Sequence, residues 1–111
     1  MTFTIPIKIV SVANLREHWA AKAKRAKGHR AAASLIGRVN HIANVKMPCV
    51  VKLIRIAPRP LDTDNLASAF KATRDGLADA MNITDNDPRV TWEYTQERGK
   101  PKEYSARIEV R

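Results

Sequence analysis

With 111 residues and twenty Lys or Arg against eleven Asp or Glu, a formal charge of +9 at neutral pH, the chain is sized for a single domain, 1–111, with a modest core. A single cysteine, Cys49, excludes an intramolecular disulfide and a cysteine-built zinc cluster. No apolar run is long enough to span a bilayer and the N-terminus lacks a secretory pattern, so a cytoplasmic protein with no membrane role is expected.

Phe3, Ile5, Ile7 and Ile9 alternate with Thr4, Pro6, Lys8 and Val10, the pattern of a strand with one buried face. Pro6 puts it at an edge or leaves one position unpaired. Ser11 or Asn14 opens a long helix, with Glu17 three residues after Asn14 as in a capping box, and the helix runs to about Asn44. Leu35, Ile36, Val39, Ile42 and Ala43 form the predicted core stripe of its second part.

The first part of that helix has almost no large apolar residue. Lys22, Lys24, Arg25, Lys27, His29 and Arg30 fall within nine residues without an acid among them, which favours contact with phosphates over a plain solvated face. Arg16, His18 and Trp19 are further candidates for DNA contact, although Trp19 serves equally well as an anchor for the helix base. His18, His29 and His41 have no zinc spacing and read as surface or packing residues.

Met47-Pro48 ends the helix, and residues 49–57 form a nearly continuous apolar run, predicted as a central strand with Cys49 a buried, inert thiol. Pro58-Arg59-Pro60 stops that strand and stiffens the approach to Asp62. A helix is predicted over 64–81, with Leu66, Phe70, Thr73 and Leu77 on one stripe and Asp64, Ser68, Lys71 and Asp75 opposite. Past the polar loop 82–88, Val90, Trp92 and Tyr94 alternate as a third strand. Residues 97–101 turn the chain into a fourth strand carrying Ala106, Ile108 and Val110, so the last two strands are expected as a hairpin. The whole reads as an α/β (α+β) domain, β-α-β-α-β-β, with two helices on a mixed four-stranded sheet.

Charge is divided between the halves. Residues 1–60 hold twelve Lys or Arg and the single acid Glu17, whereas residues 61–111 hold eight against ten. A basic surface around an acidic pocket points to nuclease- or polymerase-like chemistry on nucleic acid rather than to simple binding. The acids cluster at Asp62-Thr63-Asp64-Asn65 and at Asp85-Asn86-Asp87. Asp62 and Asp64 flank one residue at a turn, so both carboxylates can face one hard cation, and the loop carrying Asp85 and Asp87 can fold back toward them if the third strand pairs beside the second. The plainer role for such aspartates is to cap the helix.

The order D-x-D-N-L, then K-A-x-x-D-x-L at residues 71–77, then an acidic pair, a valine and a strand, resembles the RusA-type Holliday junction resolvases. That resemblance implies a Mg²⁺-dependent, homodimeric endonuclease that cuts four-way DNA junctions. It implies catalytic roles for Asp62, Asp64, Lys71 and Asp87 and a metal set of Asp62, Asp64, Asp85 and Asp87, with Arg16, Lys22, Lys24, Arg25, Lys27 and Arg30 as the residues expected on DNA. No organic cofactor is implied. Two departures stand out: the family lysine sits four residues after the second aspartate, where this chain has Ser68, and Asn86 splits the acidic pair. Lys71 fits if the helix carries about one extra turn. Two other readings remain open, a non-catalytic basic DNA-binding protein and a small module whose basic helix binds an acidic protein.

Overall fold

The computed structural model describes residues 1–11 and 19–111. Its sheet has the strand order β1-β4-β2-β3, with β1 at Thr2–Ile5, β2 at Cys49–Ala57, β3 at Val90–Arg98 and β4 at Ser105–Val110. Among the described residues three α-helices accompany it: α1, Trp19–Val39; α2, Leu66–Ala69; and α3, Lys71–Met81. The expected α+β domain with a mixed four-stranded sheet is what forms.

β2 is the central strand that its apolar run predicts. It pairs in parallel with β3, Leu53 opposite Tyr94, and antiparallel with β4, Leu53 opposite Ile108. Phe3, Leu53 and Ile108 lie in one cross-strand row, and their face meets Phe70, Leu77 and Met81 in a single core. The opposite face is laced by ion pairs of Arg107 with Glu97 and Glu109 and of Arg111 with Glu93.

Several expectations give way. The last two strands are not a hairpin: the crossover through α2 and α3 carries β3 to one side of β2, and β4 returns to the other side, between β2 and β1. The first strand stops at Ile5, just ahead of Pro6, while Ile9 is buried without belonging to a strand. The helix over 64–81 breaks at Phe70, whose ring is fully buried and stacked on Tyr94. The long helix ends at Val39 rather than near Asn44, and its core stripe holds only in part: Ile42, in a separate 3-10 turn, is buried, whereas Leu35 and Val39 are 63% and 67% exposed.

α1 instead packs on α3 through small residues, because only they let two helix backbones approach closely. Ala33 and Gly37 are its buried positions, facing Gly76, Leu77 and Ala80. A Cβ added to Gly76 would lie 2.3 Å from the Arg30 carbonyl oxygen, and one added to Gly37 would lie 3.0 Å from Ala80 Cβ. Asn82, at φ 58°, ends α3 in the left-handed conformation, and the Ile83 N–H closes the last turn onto the Ala78 carbonyl. Among the described residues no helix is long and apolar enough to cross a membrane.

Candidate functional site

Asp62 and Asp64 sit at the turn that the sequence indicates, with residues 63–65 forming a single 3-10 turn. Neither carboxylate is spent on the helix start. Asp62 precedes the turn without a side-chain capping bond, Asn65 likewise makes none ahead of α2, and both aspartates are exposed. The segment in front of them is firmly held. Buried Arg55 donates to the carbonyls of Ile9 at 2.8 Å and Arg59 at 2.7 Å, and Gln96 bonds both main-chain polar groups of Leu61.

Lys71 begins α3 and pairs with Asp75 across one helical turn, Nζ to Oδ2 at 3.5 Å. This pair stands between two grooves and lines both. On one side is a cavity of about 270 Å³ between α1 and the α2–α3 segment, lined by Lys22, Arg25 and His29 together with Ser68 and Lys71. On the other is one of about 380 Å³ lined by Arg30, Asp75, Asp79, Thr84 and Asp85. A cationic groove thus runs into an acidic one at the Lys71–Asp75 edge. Lys24 and Lys27 are exposed on α1, whereas Arg30 donates two hydrogen bonds to Asp79, at 2.7 and 3.0 Å, tying α1 to α3. Arg16 and His18, like the capping box of Asn14 and Glu17, lie outside the described residues. Trp19 is 74% exposed, so it does not anchor the helix base in the core.

The His29 imidazole is held below its ordinary pKa by burial and by the Arg25 charge beside it. Folding therefore favours its neutral form. That contribution is present above the imidazole's unfolded pKa of about 6.5 and is lost as pH falls through the lowered value. A phosphate in the groove would have the opposite preference, because it would stabilise the cation. If the groove takes DNA phosphates, affinity for duplex DNA should rise in mildly acidic buffer, and H29Q should remove that rise while leaving binding at neutral pH unchanged. Fluorescence-anisotropy titrations at constant ionic strength read both effects.

The second acidic cluster is held by its backbone. Arg74 and Trp92 both donate to the Asp85 carbonyl, Trp92 at 3.1 Å; Arg74 also donates to the Tyr94 hydroxyl at 2.9 Å and lies over the Trp92 ring. Asp87 accepts from the Arg89 amide and guanidinium, at 2.8 to 3.1 Å, and these bonds lower its carboxyl pKa to about 2.

The acidic loop does not fold back onto the helix start as the sequence suggests. In a parallel pair joined by a crossover, the end of the first strand and the start of the second lie at opposite ends of the sheet. Leu61 is level with Gln96 near the end of β3, whereas Asp87 adjoins Val90 at its beginning, roughly 20 Å apart at about 3.3 Å per residue. Among the described residues no three carboxylate, imidazole or thiolate groups stand together as a ready-made cation cage.

Some residues of the site escape the sequence reading. Asp79 continues the Lys71–Asp75 face of α3 at four-residue spacing and could have been found there, and His29 follows Arg25 at the same spacing on α1. Gln96 and Arg55 have no local signal, since their partners are backbone groups brought to them by the fold. Cys49 is buried as expected, with burial pushing its thiol pKa up.

Fold and site together define a small α+β domain in which a helix-borne cationic groove meets the aspartates of α3 and Asp85, while Asp62 and Asp64 stand exposed on the turn ahead of α2. Compared with known proteins, the chain matches no protein-family model and no curated sequence.

Proposed function

We propose that this chain is a Mg²⁺-dependent, structure-selective endodeoxyribonuclease that resolves four-way or otherwise branched DNA as a homodimer, the activity implied by its resemblance to the RusA-type resolvases. The observation that carries the reading is the meeting of the Lys22–Arg25–His29 groove with the acidic groove at Lys71 and Asp75. Cations alone would suit a passive binder; cations leading a phosphodiester to carboxylates suit its hydrolysis. In this reading Lys22, Lys24, Arg25 and Lys27 take successive phosphates. Lys71, which lines both grooves, offsets the charge that grows on the phosphate being cut.

Asp62 and Asp64 are exposed carboxylates open to a cation, Asp62 making no side-chain capping bond and Asp64 standing in the turn that follows it. An oxygen-only pair on one turn suits Mg²⁺, which binds through one or two carboxylates and substrate phosphates and keeps several waters. When bound, the ion supplies Lewis acidity at the phosphate and lowers the pKa of water. Asp85 extends the acidic groove toward Lys71, and Asp87, paired with Arg89, holds its loop. A twofold dimer provides the two sites that a junction with two symmetric strands requires.

A second reading, a basic DNA-binding protein without catalysis, draws support from the acids committed to arginines, Asp79 to Arg30 and Asp87 to Arg89. Cleavage of a synthetic junction separates the two readings. Replacing Lys24, Arg25 and Lys27 together by Glu should weaken DNA binding and flatten its salt dependence, by about 0.9 in log–log slope for each phosphate that is no longer neutralised. An unchanged slope would return these residues to a solvated face, and tighter binding to an acidic polypeptide than to DNA would make the helix a protein-docking element.

A further inference from the structure

A side chain of β3 holds the residue directly in front of the acidic turn. The Gln96 amide oxygen accepts from the Leu61 N–H at 2.9 Å, and its Nε2 donates to the Leu61 carbonyl at 2.7 Å. The amide stands in for a strand partner at a point where the chain has left the sheet, since β2 ends at Ala57. Opposite Gln96 in the β2–β3 register is Arg55, whose guanidinium donates to the Arg59 carbonyl in the same segment. Between these two anchors lies Pro60, with φ fixed by its ring. The path from the sheet to Asp62 is therefore set by two side chains and a proline.

From this geometry we infer that Gln96 is a positioning residue for the cation site of the proposed function, orienting the Asp62 and Asp64 carboxylates through the backbone of Leu61. The inference rests on that functional reading and adds a residue to it. Gln96 touches neither DNA nor ion in this scheme. Its effect passes through the torsions between Leu61 and Asp64, and these matter because the two carboxylates extend from a turn whose N-cap makes no side-chain bond. The cost of losing the clamp should depend on how strict the cation is. Mg²⁺ demands near-ideal octahedral geometry, whereas Ca²⁺ accepts an irregular shell.

Calorimetric titration of the intact chain with Mg²⁺ and separately with Ca²⁺, alongside junction cleavage, tests the assignment. Q96L should keep its thermal midpoint within a few degrees, yet bind Mg²⁺ about tenfold or more weakly, on the scale of lost outer-shell support. Its Ca²⁺ affinity should change much less. Q96E gives a second test that does not depend on Q96L folding. A protonated carboxyl has the same donor and acceptor as the amide, whereas the ionised form repels the Leu61 carbonyl. The ratio of Q96E to wild-type Mg²⁺ affinity should therefore climb as the buffer is taken from about pH 8 to about pH 5, because partial burial raises a carboxyl pKa above its free value of about 4.3. Wild type binding Mg²⁺ with Q96L indistinguishable from it, an equal loss of Mg²⁺ and Ca²⁺ affinity, or a flat Q96E ratio would overturn the positioning role alone. A wild-type chain that neither binds Mg²⁺ nor cuts would overturn the proposed function, and this role with it.

Discussion

Replacing Gly76 by alanine should destabilise the protein by roughly 2–3 kcal/mol, the upper part of the range for overpacked cores, and lower the melting midpoint by about 10 °C. The added methyl would lie 2.3 Å from the Arg30 carbonyl oxygen and 2.8 Å from Ala33 Cβ, and the first of these is backbone that no rotamer change can move aside. α1 and α3 would have to separate, opening the contact that Ala33, Gly37, Leu77 and Ala80 share. The shift would also disturb the geometry of the Arg30–Asp79 pair between the helices. Gly28 is the control, because it lies on the exposed side of α1 with nothing within 4 Å of its added Cβ. G28A should stabilise by about 0.5–1 kcal/mol, the ordinary helix-propensity gain. Thermal melts of the two variants should therefore move in opposite directions, and a common direction would contradict the close packing of α1 on α3.

Replacing Asp64 by asparagine should reduce cleavage of a synthetic four-way junction by roughly 10²- to 10³-fold, as expected when a preorganised charge in a hydrolytic site is removed. Junction binding should persist or tighten, since the substitution removes a negative charge beside phosphate. Stability should hardly change, because the carboxylate is exposed and supplies no capping bond. The combination of abolished cutting, retained binding and an unaltered melting midpoint distinguishes a catalytic carboxylate from a structural one. A helix-capping aspartate would show the reverse, with stability falling by about 1 kcal/mol and cutting intact.

Much of this fold is readable in the chain, and what escapes has identifiable causes. Period-two alternation marks β3 and β4, and the apolar run at 49–57 marks the central strand, because burial on a pleated sheet imposes those patterns directly. Strand order escapes, since no local pattern says that the crossover carries β3 past β2 and leaves room for β4 between β2 and β1. The packing face of α1 escapes for a different reason. Counting large apolar residues selects Leu35 and Val39, whereas the contact with α3 is built from Ala33 and Gly37, whose small size is the point and whose hydropathy is weak.

The site divides in the same way. Asp62, Asp64 and Lys71 are legible as a turn and a helix start, and the cations of α1 as a run. The clamp of Gln96 on Leu61 spans 35 positions and is made to backbone, which carries no residue-type signal. The placement of Asp85 and Asp87 depends on the parallel direction of β3, so acids whose order along the chain suggests a single cage are distributed along the strand instead.

The most direct measurement is cleavage of a synthetic four-way junction by the wild-type chain, with and without Mg²⁺ and beside D62N and D64N. Paired symmetric cuts are expected that require the ion and disappear in both variants while the junction stays bound. Binding without any Mg²⁺-dependent cut by the wild type, or cutting that survives the loss of both aspartates, would contradict the proposed function.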